Sequence, residues 1–251
     1  MIIDHPNAAQ SNALRELWQE AFGDSDAFLD CFFRTAFSPA RCRCAAIDGA
    51  LAAALYWFDC EYAGEKAAYI YAVATGKDYR GRGHCRALMT DTHDLLARRG
   101  YAGAILVPGE AGLFRLYEKL GYTTCAYVRE FPCAAGAAPI PVRAIGPAEY
   151  AALRRQFLPP GSVIQEKENL AFLETQARFF AGEGLLLAAS REGTVLHCPE
   201  LLGNANAAPG ILAALGCTEG RFRSPGGEKP FAMYRPLNPI PAPGYFGLAF
   251  D

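Results

Sequence analysis

From Tyr69 to Met89 the chain reads YIYAVATGKDYRGRGHCRALM, and this stretch restricts the possible folds more than any other. Its first half alternates as a strand does, and its second half carries apolar residues at helical spacing. Between them stand Arg80, Gly81, Arg82 and Gly83. A strand that enters such a loop and leaves as a helix forms an anion site. The first amides of a helix lack intrahelical partners, and the helix dipole adds partial positive charge there. Glycines allow close backbone approach, and two arginines add fixed charge. The loop is not a Walker loop, which needs Gly-Lys-Ser/Thr. It is not a dinucleotide fingerprint either, since Arg86 stands where Gly or Ala is required and three strands precede it.

The 251 residues suffice for one large domain or two ordinary ones, and 51% hydrophobic content supports a real core. A formal net charge of −2 without a basic run gives no footprint for nucleic acid. The start, MIIDHPNAAQ, does not read as a signal peptide, and no stretch approaches the ~20 apolar residues of a membrane span. The 9 cysteines form no Cys-x-x-Cys pair, and the 4 histidines do not join them at zinc spacing. Reduced, mostly buried thiols in the cytoplasm are expected, without a metal.

The first 130 or so residues read as an α+β unit. Helical stripes at 8–22 and 25–36 precede strands at 41–47, 51–62 and 66–75, joined by Asp48-Gly49 and Ala63-Gly64 turns. A helix from His84 to Arg99 follows, then a strand at 102–107, a helix at 111–120 and a strand at 123–131. CAAGAAPIP, within 133–141, is small and uncharged and reads as a linker. The pattern then restarts, with a strand at 141–144, helices at 147–157 and 167–180, and strands at 184–190 and 194–198. Leu120-Gly121-Tyr122-Thr123 and Leu215-Gly216-Cys217-Thr218 each close a helix before a strand, a weak internal echo that aligns Leu212 with Tyr117. The tail, PLNPIPAPGYFGLAFD, is expected to be extended.

This order, with the Arg-Gly-Arg-Gly loop and the segment Leu116-Tyr117-Glu118-Lys119-Leu120-Gly121-Tyr122, resembles the GNAT superfamily of N-acetyltransferases. Their signature is Arg/Gln-x-x-Gly-x-Gly/Ala after the fourth strand; Arg80-x-x-Gly83-x-Cys85 departs from it at Cys85. An asparagine common before the following helix is replaced by Pro108-Gly109-Glu110. The resemblance implies acetyl-CoA as co-substrate. Its pyrophosphate would lie on Gly81, Arg82, Gly83, His84, Cys85 and Arg86, with Arg80 in support. The pantetheine arm would pair with Val73, Ala74 and Thr75, and the Val73 N–H would polarise the thioester carbonyl. Tyr117 would supply the proton to the departing thiolate, although it shares a helix face with Leu113 and Leu120 and also reads as a core aromatic. The base is left open among Glu61, Tyr69, Tyr71 and water.

The acceptor implied is a primary amine of a small molecule or peptide; a non-catalytic acyl-CoA sensor is the alternative. The paired copies are similar to the tandem Eis-type proteins. The expected fold class is α+β: a GNAT-like mixed sheet flanked by helices (1–132), the linker (133–140), a smaller degenerate GNAT-like domain (141–236) and the proline-rich tail (237–251). Oligomeric state is not legible.

Overall fold

Hairpin turns written into the sequence organise the first half of the chain. Asp48 and Gly49 have φ of 50° and 85°, and Ala63 and Gly64 have φ of 54° and 79°, the left-handed pairs that a two-residue turn requires. In the computed structural model, which describes residues 1–136 and 138–250, they join β2 (Cys42–Ile47), β3 (Ala50–Tyr62) and β4 (Glu65–Thr75). Ahead of them lie β1 (Ile2–Asp4), α1 (Ser11–Phe22) and α2 (Asp26–Thr35). Gly23 closes α1 at φ 75°, and the Ser25 hydroxyl accepts from the Phe28 amide at 3.2 Å to start α2. After β4 come α3 (His84–Arg98), β5 (Gly103–Leu106), α4 (Ala111–Glu118) and β6 (Thr123–Ala134).

The second half runs β7 (Val142–Ile145), α5 (Pro147–Phe157), α6 (Glu168–Glu174), β8 (Arg178–Gly182), β9 (Leu185–Glu192) and β10 (Val195–Gly203). It ends with α7 (Ala208–Ala214), β11 (Glu219–Pro225) and β12 (Lys229–Pro236). The helix expected over 167–180 stops at Glu174. Residues 178–182 instead pair with β9, from Arg178 opposite Ala189 to Gly182 opposite Leu185, so hairpin pairing overrides local helical patterning. Ala137 in the expected linker and Asp251 at the end of the tail lie outside the described residues.

Two compact units result. The first contains residues 1–123 and 233–242; the second contains 124–232 and the segment from Pro243 onward. In the first the strand order is β1-β2-β3-β4-β5-β12, antiparallel except for β4 and β5. In the second it is β7-β8-β9-β10-β11-β6, antiparallel except for β10 and β11. The two orders are the same, and each is completed by a strand from the other half of the chain.

This topology corrects the echo read from the sequence. α7 joins the parallel strands β10 and β11, as α3 joins β4 and β5. No helix separates β11 from β12, so α4 has no counterpart and Leu212 does not stand in the place of Tyr117. The shared Leu-Gly-x-Thr is a helix end: Gly121 and Gly216 have φ of 82° and 66°, as any helix turning into a strand can require.

One face of the first sheet packs on α3 and α4 through Leu55, Trp57, Ile70, Leu88, Leu96 and Tyr117. Arg43 on β2 ties α3 down, its Nε donating to Asp91 at 2.8 Å. The second core gathers β9, β10 and β11 against α7 through Leu187, Leu201, Ile211, Leu212 and Phe222. The tail is extended but not loose. Tyr245, Phe246 and Leu248 are buried, and Gln165 bonds Leu248 in both directions, at 2.6 and 3.1 Å.

Beneath the tail, Glu200 is fully buried. It accepts from Arg154 at 2.7 and 2.8 Å, from the Tyr150 hydroxyl at 2.7 Å and from the Tyr245 hydroxyl at 3.1 Å. Removing the carboxylate leaves a buried, uncompensated guanidinium. Glu200→Ala is therefore expected to cost about 3–5 kcal/mol in urea unfolding, and the Arg154→Met/Glu200→Leu double variant less.

Candidate active site

The site begins where β4 leaves β5. The two pair in parallel only at Ala67–Gly103, Ala68–Ala104 and Tyr69–Ile105. Beyond Tyr69, β4 continues against β3 as far as Thr75, so its edge toward β5 carries no pairing among the described residues. A bulge reinforces the parting. Ala54 and Tyr56 face Ala74 and Tyr71, which leaves one extra residue on β4, and Ala72 takes φ 47°. Left-handed backbone at alanine is uncommon and marks a place where the surrounding structure imposes it. The bulge also resets the alternation: Ile70 and then Val73, not Ala72, pack toward α3 and α4.

At the end of β4 the chain enters the Arg80–Gly83 loop. Gly81 and Gly83 have φ of 73° and 82°, and nothing lies within 4 Å of where either Cβ would stand. Gly83 is the N-cap of α3 and provides no side-chain cap. Among the described residues the amides of 81–86 find no acceptor, and the first bond of the helix is Ala87 to Gly83 at 3.0 Å. Six consecutive donors at the positive end of a 15-residue helix are thus left without an acceptor among the described residues. Arg80 is partly committed, its Nε donating to the Thr75 carbonyl at 2.9 Å and folding the loop back on the strand end. Arg82 and Arg86 are exposed and have no ion-pair partner among the described residues. His84 lies edge-on to Tyr79 at 6.2 Å. Cys85 is half-buried against the α3–α4 core, and burial pushes its thiol up.

Tyr117 is on α4 and 8% exposed, edge-on to Tyr122 at 5.8 Å. Its hydroxyl has no hydrogen-bond partner among the described residues. Burial, with Cys85 nearby, holds the phenol well above its ordinary range, so it stays protonated at neutral pH. Val73 and Cys85 pack on the same cluster as Tyr117, so the structure brings the strand edge, the loop and the tyrosine to one side of the sheet. Tyr69 and Tyr71 lie on the other side, ringed by Trp18, Phe32 and Phe58. Glu61 pairs across from Lys66 at the far hairpin end, which puts it roughly 20 Å along β4 from Val73 at ~3.3 Å per residue. That removes Glu61 from reach of the site.

Two features escaped the sequence. The Ala72 bulge has no residue signature. Behind Tyr117, buried His93 bonds the Tyr122 hydroxyl through Nε2 at 2.7 Å, while its Nδ1 has no partner among the described residues. Nothing in the spacing of His93 announces this. Among the described residues no His, Cys, Asp and Glu group could hold a metal ion, and no helix is long and apolar enough to cross a membrane.

A parted strand pair, a glycine-arginine loop and the start of a 15-residue helix thus follow one another along the chain from Tyr69 to Arg98. Residues 3–125 match the family model described as acetyltransferase (GNAT) domain. These residues, just under half of the chain, thus match a domain of the GNAT acetyltransferases, N-acetyltransferases that use acetyl-CoA as co-substrate. Among solved structures, a GCN5-related N-acetyltransferase from Kribbella flavida is similar at TM-score 0.72 and 16% identity, over 94% of this chain and 71% of that one. One from Anabaena variabilis gives TM-score 0.71 and 15% identity, over 94% and 73%. Eis1 from Mycobacterium abscessus gives 0.69 and 14%, over 95% and 74%. These likenesses extend past residue 125 and concern the fold. No curated protein sequence matches the chain.

The His93 pair makes a testable demand on pH. An unfolded imidazole takes a proton near pH 6.5, whereas burial, helped by Arg235, holds His93 neutral down to about 3. Between those values the unfolded state binds the extra proton, so stability falls on acidification. Wild-type stability should drop more steeply below pH 6.5 than that of His93→Gln, by about 1.4 kcal/mol per pH unit in urea titrations.

Proposed function

We propose that the chain transfers an acetyl group from acetyl-CoA to a primary amine of a small molecule or peptide, by direct attack of the amine on the thioester. The observation that carries this reading is the run of acceptor-less amides from 81 to 86 at the start of α3, beside the unpaired edge of β4. The residues fit the co-substrate: room where two Cβ atoms would stand, six free donors and two uncommitted arginines. Bound acetyl-CoA supplies the activated acetyl group as a thioester.

The amides of Gly81, Arg82, Gly83, His84, Cys85 and Arg86 hold the pyrophosphate, with Arg82 and Arg86 adding charge at the rim. Val73, Ala74 and Thr75 offer their backbone edge to the pantetheine amides, the bond a neighbouring strand would otherwise make. The Val73 N–H donates to the thioester carbonyl oxygen, where negative charge grows as the amine attacks. Tyr117 keeps its Oη proton through the neutral range and gives it to the departing sulfur. With Glu61 out of reach and Tyr69 and Tyr71 on the other side of the sheet, the amine loses its proton to water. The second unit, with a seven-residue α7 and no α4 counterpart, serves as a donor-free copy of the same architecture. The free thiols suit a reducing, cytoplasmic setting.

Calorimetry tests the loop. Charge-assisted bonds to phosphate are worth roughly 1.5–3 kcal/mol, so Arg82→Ala should weaken CoA binding by tenfold or more; unchanged affinity in Arg82→Ala/Arg86→Ala would reject the assignment. Steady-state kinetics test the proton. Tyr117→Phe should retain CoA affinity and lower kcat by about 10²–10⁴-fold. CoA binding without thiol release from acetyl-CoA across a panel of primary amines would instead identify an acyl-CoA sensor.

A further inference from the structure

The second unit repeats the parting of strands and changes its chemistry. β10 and β11 pair in parallel only from Val195–Glu219 to Cys198–Phe222. Past that point β10 follows β9 while β11 follows β6. A bulge lies here too: His197 and Glu200 face Ser190 and Ala188, leaving one extra residue on β10. Pro199 occupies it, so the bulge provides one amide fewer than its counterpart in the first unit. No arginine-glycine loop follows, and α7 is too short to offer a strong dipole.

A cavity of about 560 Å³ opens at this parting, within the usual size range of small-molecule sites. Its floor is a row of residues directly opposite one another on neighbouring strands: Ser190, His197, Arg221 and Pro132. Leu173 and Ala177, with Ala249 and Phe250 of the C-terminal segment, give it apolar lining. The charge is unbalanced. Glu130 is held between Arg223 at 3.1 Å and Lys229 at 2.5 Å. Arg221 has no ion-pair partner among the described residues; Glu192, 3.9 Å from His197, and Glu219, two residues before Arg221 on β11, face Val195 from either side and are exposed. A lone guanidinium presents one planar fork, which matches a carboxylate in two parallel bonds. Without the clustered amides that a phosphate needs, the row favours a monoanion.

We propose that this cavity is a second ligand site, for a small carboxylate with a flat apolar body, seated with its carboxylate on Arg221. The site is independent of the donor loop and of whether the first unit is catalytic. The test is calorimetry on the full chain with 2-naphthoate as probe and 2-naphthamide as its uncharged counterpart. Saturable one-site binding of naphthoate is expected, weakened tenfold or more by Arg221→Gln or by the amide probe. Inorganic phosphate and CoA should not displace the probe. Arg221 is exposed, so the variant should fold, and its unchanged CoA affinity would verify this. Absence of saturable binding, equal binding to Arg221→Gln, or displacement by CoA or phosphate would overturn the proposal.

Discussion

The parting of β4 from β5 after Tyr69 is the constraint on which the donor side of this molecule depends. Backbone donors and acceptors must be paired, and a strand edge left open inside a sheet is stable only with another partner. The bulge at Ala72 enforces the parting by adding a residue that β3 cannot match. It also moves Val73 into line with Cys85 and Tyr117 on the α3–α4 side. One irregularity in a hairpin therefore opens a slot, sets its lining and delivers the chain to the loop that starts α3.

The second unit uses the same device with different residues. Its strand order, parallel pair and bulge repeat those of the first, yet Pro199 stands at the bulge and the helix that follows is half the length. What persists is the geometry of a parted sheet; what is missing is the arginine-glycine loop and the long helix after it. Each unit is also closed by a strand from the other half of the chain. A fragment ending at residue 132 would leave β5 without β12, and Met233 to Pro236 without Leu106 to Gly103. The packing units therefore do not coincide with contiguous halves of the sequence.

Much of the first unit was legible because local rules and tertiary packing agree there. The Asp-Gly and Ala-Gly turns, the Ser25 cap and the glycine-arginine loop each have one dominant conformational solution. Val73 and Cys85, from the two segments the resemblance singled out, pack on the cluster that contains Tyr117. The second unit was less legible, since residues 178–182 take a strand only because β9 is there to pair with. The Leu-Gly-x-Thr echo misled because it encodes a helix end and not a position in a topology. The Ala72 bulge and the His93–Tyr122 bond are set by cross-strand counting and burial, which no local motif records.

The central claim is that the amides of 81–86 are the donor's anchor. Titrating the ¹⁵N-labelled full chain with CoA and following backbone amide resonances tests it directly. The account predicts saturation at one equivalent, with large downfield proton shifts confined to residues 81–86 and the Val73–Thr75 edge. Large shifts centred instead on the His197–Arg221 row, or a second equivalent bound there, would contradict it.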